Sequence, residues 1–311
     1  MRPNPSILAS GETLDLNIFQ TGGDAVFVDL DEATAGALTP EAEPSQIGFL
    51  RIGDVELTLF DVENIIGGDA GERLFGSEED GFIIAGGGDD TVHPFNGNDY
   101  VYGGDGEDTL LLNAIDGPLK VDLKSGYANT VDQTNLIDGF ENVTGSNLFS
   151  DLILGDRNDN ALAGGAGGDD TLKGRGGDDM LSGGGGADRL VGGRGDDALF
   201  GGDGDDRLIG GKGDDMLNGG DGADRFIFGI NTGEDVIDDL NFEEGDAIKF
   251  RGEPLIDSDE DLMAFASALN EDEAKTNFAG IDGDDLVLGF HGAKVIVSGF
   301  AEILEGDGLF A

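Results

Sequence analysis

Residues 165–227 read GAGGDDTLK, GRGGDDMLS, GGGGADRLV, GGRGDDALF, GGDGDDRLI, GGKGDDMLN and GGDGADRFI, seven nonapeptides in unbroken register. The sixth place is always Asp: Asp170, Asp179, Asp188, Asp197, Asp206, Asp215 and Asp224. The eighth is always apolar: Leu172, Leu181, Leu190, Leu199, Leu208, Leu217 and Phe226. Glycine holds the fourth place, at Gly168, Gly177, Gly186, Gly195, Gly204 and Gly213 in the first six units. Each unit reads as a six-residue turn and a three-residue strand. The glycines permit the crowded, left-handed backbone of the turn, and the eighth side chain faces inward while the seventh and ninth face out. Two units make one coil of a flattened helix, so turns two units apart stack on the same edge.

Working outward, a weaker array at the same spacing occupies 67–111, with Glu72, Gly81, Asp90, Asp99 and Asp108 at the sixth place. Glu72 and Gly81 depart from the pattern, whereas Asp90, Asp99 and Asp108 fit it. Ahead of each array lie alternating apolar and polar runs, Val26–Asp31 with Asp61–Gly67, and Leu119–Lys124 with Gly139–Gly145, as strands require. From Phe228 the pattern changes. Ala247–Phe250, Asp285–Leu288 and Lys294–Val297 read as strands. Ser258 opens a helix with Leu262, Phe265, Ala266 and Leu269 on one face. The expected organisation is a strand-rich lead-in over 1–66, a first array over 67–111, a strand-rich connector over 112–144, a second array over 145–227, and a terminal cap over 228–311. The fold expected is all-β dominated, a parallel β-roll in two arrays with a small α+β cap over the open end of the stack.

Composition points to the counter-ion. The chain holds 57 Gly, and 66 Asp plus Glu stand against 17 Lys plus Arg, a formal net charge of −49. Such a chain repels itself unless cations neutralise it, which disfavours nucleic acid and anionic membrane as partners. Hard divalent ions prefer carboxylate and carbonyl oxygens. With no cysteine, disulfides, thiolate metal sites and thiol catalysis are excluded. Met1–Gly11 has only Ile7-Leu8-Ala9 as an apolar run, far from a secretory leader, and no stretch reaches the length of a membrane span.

Stacked turns predict about five calcium sites in the strong array, pairing Asp170 with Asp188, Asp179 with Asp197, Asp188 with Asp206, Asp197 with Asp215, and Asp206 with Asp224. Asp90 with Asp108 offers another. An ion between turns gathers carboxylate and carbonyl oxygens, and magnesium, which demands a tighter octahedron, substitutes poorly. Stacked carboxylates without ions repel, so binding and folding are expected to be one event.

These nonapeptides resemble the RTX, or repeats-in-toxin, calcium-binding family, whose pattern is G-G-x-G-x-D-x-U-x. The tail and the Glu-Asn-Val-Thr-Gly-Ser segment at 141–146 are similar to the C-terminal region of serralysin-type proteases. The resemblance implies a β-roll with several Ca2+ ions held by turn carbonyls, the fourth-place glycines among them, and by the sixth-place aspartates. It further implies an extracellular protein exported by type I secretion machinery that reads an uncleaved C-terminal signal.

Catalysis is not expected. His93 and His291 are the sole histidines, no H-E-x-x-H or G-x-S-x-G occurs, and His93 falls at an outward ninth place, as a surface residue. One further pattern stands out. Arg189, Arg207 and Arg225 share the seventh place in alternate units and form a column on one face, beside Val191, Ile209 and Ile227. Packing of this ribbon within the molecule is the first expectation, and docking of a polyanionic polysaccharide or cell surface is the second.

Overall fold

A computed structural model describes residues 13–15, 47–52, 55–60, 64–67, 71, 73–76, 80–230, 232–270, 278–282 and 285–299. The expected strand Val26–Asp31, the Glu72 position and residues 300–311 lie outside the described residues. Two compact units divide the chain, Met1–Ser146 and Asn147–Ala311.

In the second unit each coil lays one short strand in each of two parallel sheets. One sheet runs through Thr171–Lys173, Arg189–Arg194, Arg207–Lys212 and Arg225–Phe228; the other through Ala161–Ala163, Met180–Gly185, Ala198–Asp203 and Met216–Asp221. The register places Leu172, Leu190, Leu208 and Phe226 in one row and Leu181, Leu199 and Leu217 in another, all with no exposed surface. The expected three-residue strand holds for Ala161–Ala163 and Thr171–Lys173, whereas the next five strands run on through the first glycines of the following turn to six residues, each still with one inward large apolar side chain. Removing about 1.5–3 kcal/mol worth of apolar side chain from water at each eighth position supplies the layer between the sheets.

Both sheets continue past the repeats. Ala247–Phe250 pairs in parallel with Arg225–Phe228, and Glu234–Ile237 with Met216–Asp221. Antiparallel strands Asp285–Phe290 and Phe278–Asp282 then follow Ala293–Val297. The helix Asp259–Asn270 starts where Ser258 Oγ accepts from Asp261 N at 3.2 Å, and it buries Leu262, Ala266 and Leu269. Phe228, Phe250, Phe265 and Phe290 meet ring to ring at 5.0–5.7 Å and close the core at this end.

The first unit repeats the scheme with Phe82–Gly87 on Tyr100–Asp105 in one sheet and Arg73–Phe75, Thr91–His93 and Thr109–Leu111 in the other. Here the parallel order is broken. Lys120–Asp122, Tyr127–Asn129 and Thr134–Asp138 form an antiparallel meander whose last strand rejoins Tyr100–Asp105 in parallel.

Candidate metal centre

The turns join one sheet to the other, and their glycines let successive coils touch. Fourth-place Gly186, Gly195, Gly204 and Gly213 have φ between 113° and 126°, in the left-handed region. A Cβ on Gly204 would come within 2.0 Å of Gly186 O, and one on Gly213 within 2.0 Å of Gly195 O. Fourth-place carbonyls, those of Gly168 and Gly177 included, therefore stack directly beneath the next coil.

Two hydrogen-bonded ladders climb these turns in opposite senses. Each sixth-place Asp accepts on Oδ1 from the sixth-place N–H of the coil before it. Asp170 N donates to Asp188, Asp188 N to Asp206 and Asp206 N to Asp224 on one edge. Asp179 N donates to Asp197 and Asp197 N to Asp215 on the other, all at 2.7–2.9 Å. Each fifth-place Asp accepts from the coil after it, as Asp178 does from Asp196 N and Asp196 from Asp214 N, both at 2.8 Å. The sequence pairs joined eighteen residues apart are thus in direct contact through one carboxylate oxygen.

The second oxygen has a different fate. Oδ2 of Asp170, Asp179, Asp188, Asp197, Asp206, Asp215 and Asp224 is buried with no hydrogen-bond partner among the described residues. It lies against the bare Cα of the first-place glycine. A Cβ on Gly183 would meet Asp188 Oδ2 at 2.2 Å and Gly201 O at 2.6 Å; one on Gly201 would meet Asp206 Oδ2 at 2.2 Å and Gly219 O at 2.3 Å. A carboxylate oxygen and a main-chain carbonyl of the neighbouring coil therefore border the same gap. Leaving an ionised oxygen buried and unpaired is costly, so each must hold a proton or meet a cation. Burial, opposed by the backbone hydrogen bond, pushes Asp170, Asp197, Asp206 and Asp224 up to about 7, and Asp179 and Asp215 to about 6. Asp188 moves the same way. Among the described residues no three His, Cys, Asp or Glu side chains converge, so an ion here takes carbonyl oxygens beside its carboxylates. An all-oxygen, mostly carbonyl set suits a hard cation of flexible geometry, which is calcium.

In the first array Asp90, Asp99 and Asp108 are at most 6% exposed, and Asp90 N donates to Asp108 Oδ1 at 2.8 Å. Oδ2 of Asp99 and Asp108 is buried with no hydrogen-bond partner among the described residues, and burial raises Asp99 to about 7 and Asp108 to about 6. Gly81 keeps its rung only as a donor, through Gly81 N to Asp99 Oδ1 at 2.9 Å. It adds no carboxylate of its own.

The ladder is longer than nine-residue spacing reveals. Asp235 and Asp246 accept from Asp215 N and Asp224 N across 20 and 22 residues, and Asn135 and Glu141 end the first array by accepting from Asp99 N and Asp108 N. At the other end Asp151 N donates to Asp170 across 19 residues, because Gly164 rather than Gly165 occupies the first place of that turn. The detectable signal was an Asp two residues before an inward apolar residue, as in Asp235 with Ile237 and Asp246 with Ile248.

His93 is not a surface residue. It is 8% exposed and stacks on its register partner Phe75 at 4.5 Å, with Phe95 6.3 Å away on a turn where Phe95 has φ 60°. Burial, then the Arg73 charge, pushes its pKa down to about 4.

The model of the RTX calcium-binding nonapeptide repeat matches residues 66–94, 75–110, 96–114, 164–199, 191–226 and 200–237. Among solved structures, the extracellular lipase LipA from Serratia marcescens is similar at 19% identity, with a TM-score of 0.27. That match covers 73% of this chain and 37% of the lipase, so the chain spans about a third of that protein's length. No curated protein matches.

Proposed function

Because the chain carries RTX calcium-binding nonapeptide repeats wound into a β-roll, we propose that it is a secreted, calcium-folded scaffold serving as a surface or matrix component. The observation that carries this reading is the row of buried, unpartnered Asp Oδ2 atoms facing main-chain carbonyls in successive coils. In this reading Asp170, Asp179, Asp188, Asp197, Asp206, Asp215 and Asp224, with the carbonyls of Gly168, Gly177, Gly186, Gly195, Gly204 and Gly213, are the ligands of the strong array. Asp90, Asp99 and Asp108 serve the weaker one. Bound calcium supplies the positive charge that lets these carboxylates stay ionised. The protein's own residues hold the turns open and pre-place the oxygens.

Low calcium before export keeps the chain unfolded, and high calcium outside folds it. Type I secretion machinery reading an uncleaved signal within 228–311 fits such a passenger, since an unfolded polyanion threads more readily than a rigid roll. A polysaccharide or cell surface is the partner we assign to the folded roll. The protein acts by binding and scaffolding, not by catalysis. A far-UV circular dichroism titration with calcium, run beside magnesium, tests the reading. A disordered spectrum that turns β-rich cooperatively with calcium alone supports it. A chain already folded in chelator, or folded equally by magnesium, overturns it.

A further inference from the structure

On a molecule of charge −49, four of the eight Lys and Arg residues of the second array stand at outward seventh and ninth places of one sheet, the other four lying in the turns. Arg189, Arg207 and Arg225 are register partners on adjacent parallel strands, so their guanidiniums project from one face about 4.8 Å apart along the roll. Arg207 and Arg225 are exposed, Arg189 is half-buried, and none has an ion pair among the described residues. Val191, Ile209 and Ile227 run beside them as a half-buried aliphatic column, with Lys173 before it and Lys249 after it in the same register. From Thr171 to Lys249 the outward seventh and ninth places of this sheet hold no acidic side chain. The equivalent column of the opposite sheet holds Met180, Ala198 and Met216 instead. Stacking three like charges costs stability. Burial, and then Arg189 and Arg225, lower the proton affinity of Arg207.

We propose that this face binds an acidic polysaccharide, its carboxylate or sulfate groups on the arginine column and its sugar rings on the aliphatic one. The inference rests on the calcium-folded roll proposed above and names the partner's chemistry and its docking face. Guanidinium forks grip carboxylate and sulfate with two parallel hydrogen bonds, and their one-per-coil repeat matches an extended chain bearing one anion per sugar or two. Aliphatic side chains offer a flat apolar floor for ring C–H groups. Single-stranded nucleic acid would want aromatic platforms, and these two columns contain none.

The test uses the full chain in saturating calcium, with oligogalacturonate, a heparin oligosaccharide, neutral dextran and single-stranded DNA as probes, read by isothermal titration calorimetry. The wild type is expected to bind one or both acidic glycans, the two arms telling carboxylate from sulfate, and not dextran. Affinity should fall with salt at a log–log slope of about −2, for three contacts to a flexible polyanion. The triple variant R189Q/R207Q/R225Q should lose about tenfold to a hundredfold in affinity, the product of three charge-assisted contacts at the solvent face. Its circular dichroism and calcium midpoint should stay intact, because the substitutions relieve repulsion. Replacing the three by lysine should leave an intermediate affinity.

Unchanged glycan binding in a folded triple variant, or absence of acidic-glycan binding by the wild type, overturns the inference while leaving the calcium reading standing. DNA bound as tightly as the glycans also overturns it, as the mark of a generic polyanion site. Arginine-dependent glycan binding by a chain already folded in chelator would keep this inference and overturn the calcium reading instead.

Discussion

Asp206 has two oxygens with separate tasks: Oδ1 takes the N–H of Asp188, and Oδ2 faces the gap beside Gly201. Asp206→Asn keeps the first task and removes the charge from the second. Calcium titration by circular dichroism should show a midpoint severalfold higher, and calorimetry should count one or two fewer ions. Glycines divide just as sharply by position. At Gly204, φ of 126° and Gly186 O at 2.0 Å leave no room for a methyl group, whereas a Cβ on Gly176 meets nothing closer than Arg194 O at 3.7 Å. Gly204→Ala should cost about 2 kcal/mol or more in the calcium-bound state, and Gly176→Ala less than about 1 kcal/mol, measured as shifts in thermal midpoint. The sixth-place Asp and eighth-place Leu were readable from their spacing. The role of the fifth-place Asp was not, because its recurrence at Asp169, Asp178, Asp196, Asp205 and Asp214 looks the same for a side chain bonded to the following coil as for a solvated acid. Nor was His93, whose outward place is covered by Phe95 through a turn that departs from the glycine pattern.

The turn edge is the element on which acidity acts. Burial raises Asp170, Asp197, Asp206 and Asp224 from 3.8 to about 7 in the metal-free fold, so that fold holds more protons than the unfolded chain between about pH 4 and 7. A raised folded-state pKa gives stability that is fully present below pH 4 and lost as pH rises through 7. In calcium-depleted buffer the chain should therefore gain β structure on acidification from pH 8 to about 4.5. The calcium midpoint should move to higher concentration over the same range, since the ion must displace protons. Circular dichroism at a series of pH values reads both. The strands followed from the repeat because each is centred on one inward apolar residue at the eighth place, although five of them run to six residues where three were expected. The antiparallel meander Lys120–Asp138 and the rungs at Asp235 and Asp246 did not follow, because loops of unequal length hide a shared ladder position from a nine-residue period.

For the whole molecule the decisive quantity is the charge of −49, which bound cations and the interior apolar rows oppose. Removing calcium at neutral pH should expand the chain toward a radius of gyration of about 60 Å, by small-angle scattering. Raising salt without calcium should compact it only in part, because screening weakens repulsion without filling the gaps beside Oδ2. The excess of acid was plain in composition. Its segregation from the arginine face was visible as a column in alternate units, and the exposure of Arg207 and Arg225 needed the folded register.

That a coil consumes two repeats has a consequence for how such a gene changes length. Loss of a single nonapeptide would send every later strand to the other sheet. Loss of the unit 192–200, for instance, would carry Arg207 and Arg225 to the face opposite Arg189, and the turns on either side of the gap would meet neighbours cut for the other edge. Duplications and deletions that survive selection should therefore come in pairs of repeats, so the heritable module of this protein is the coil and not the motif.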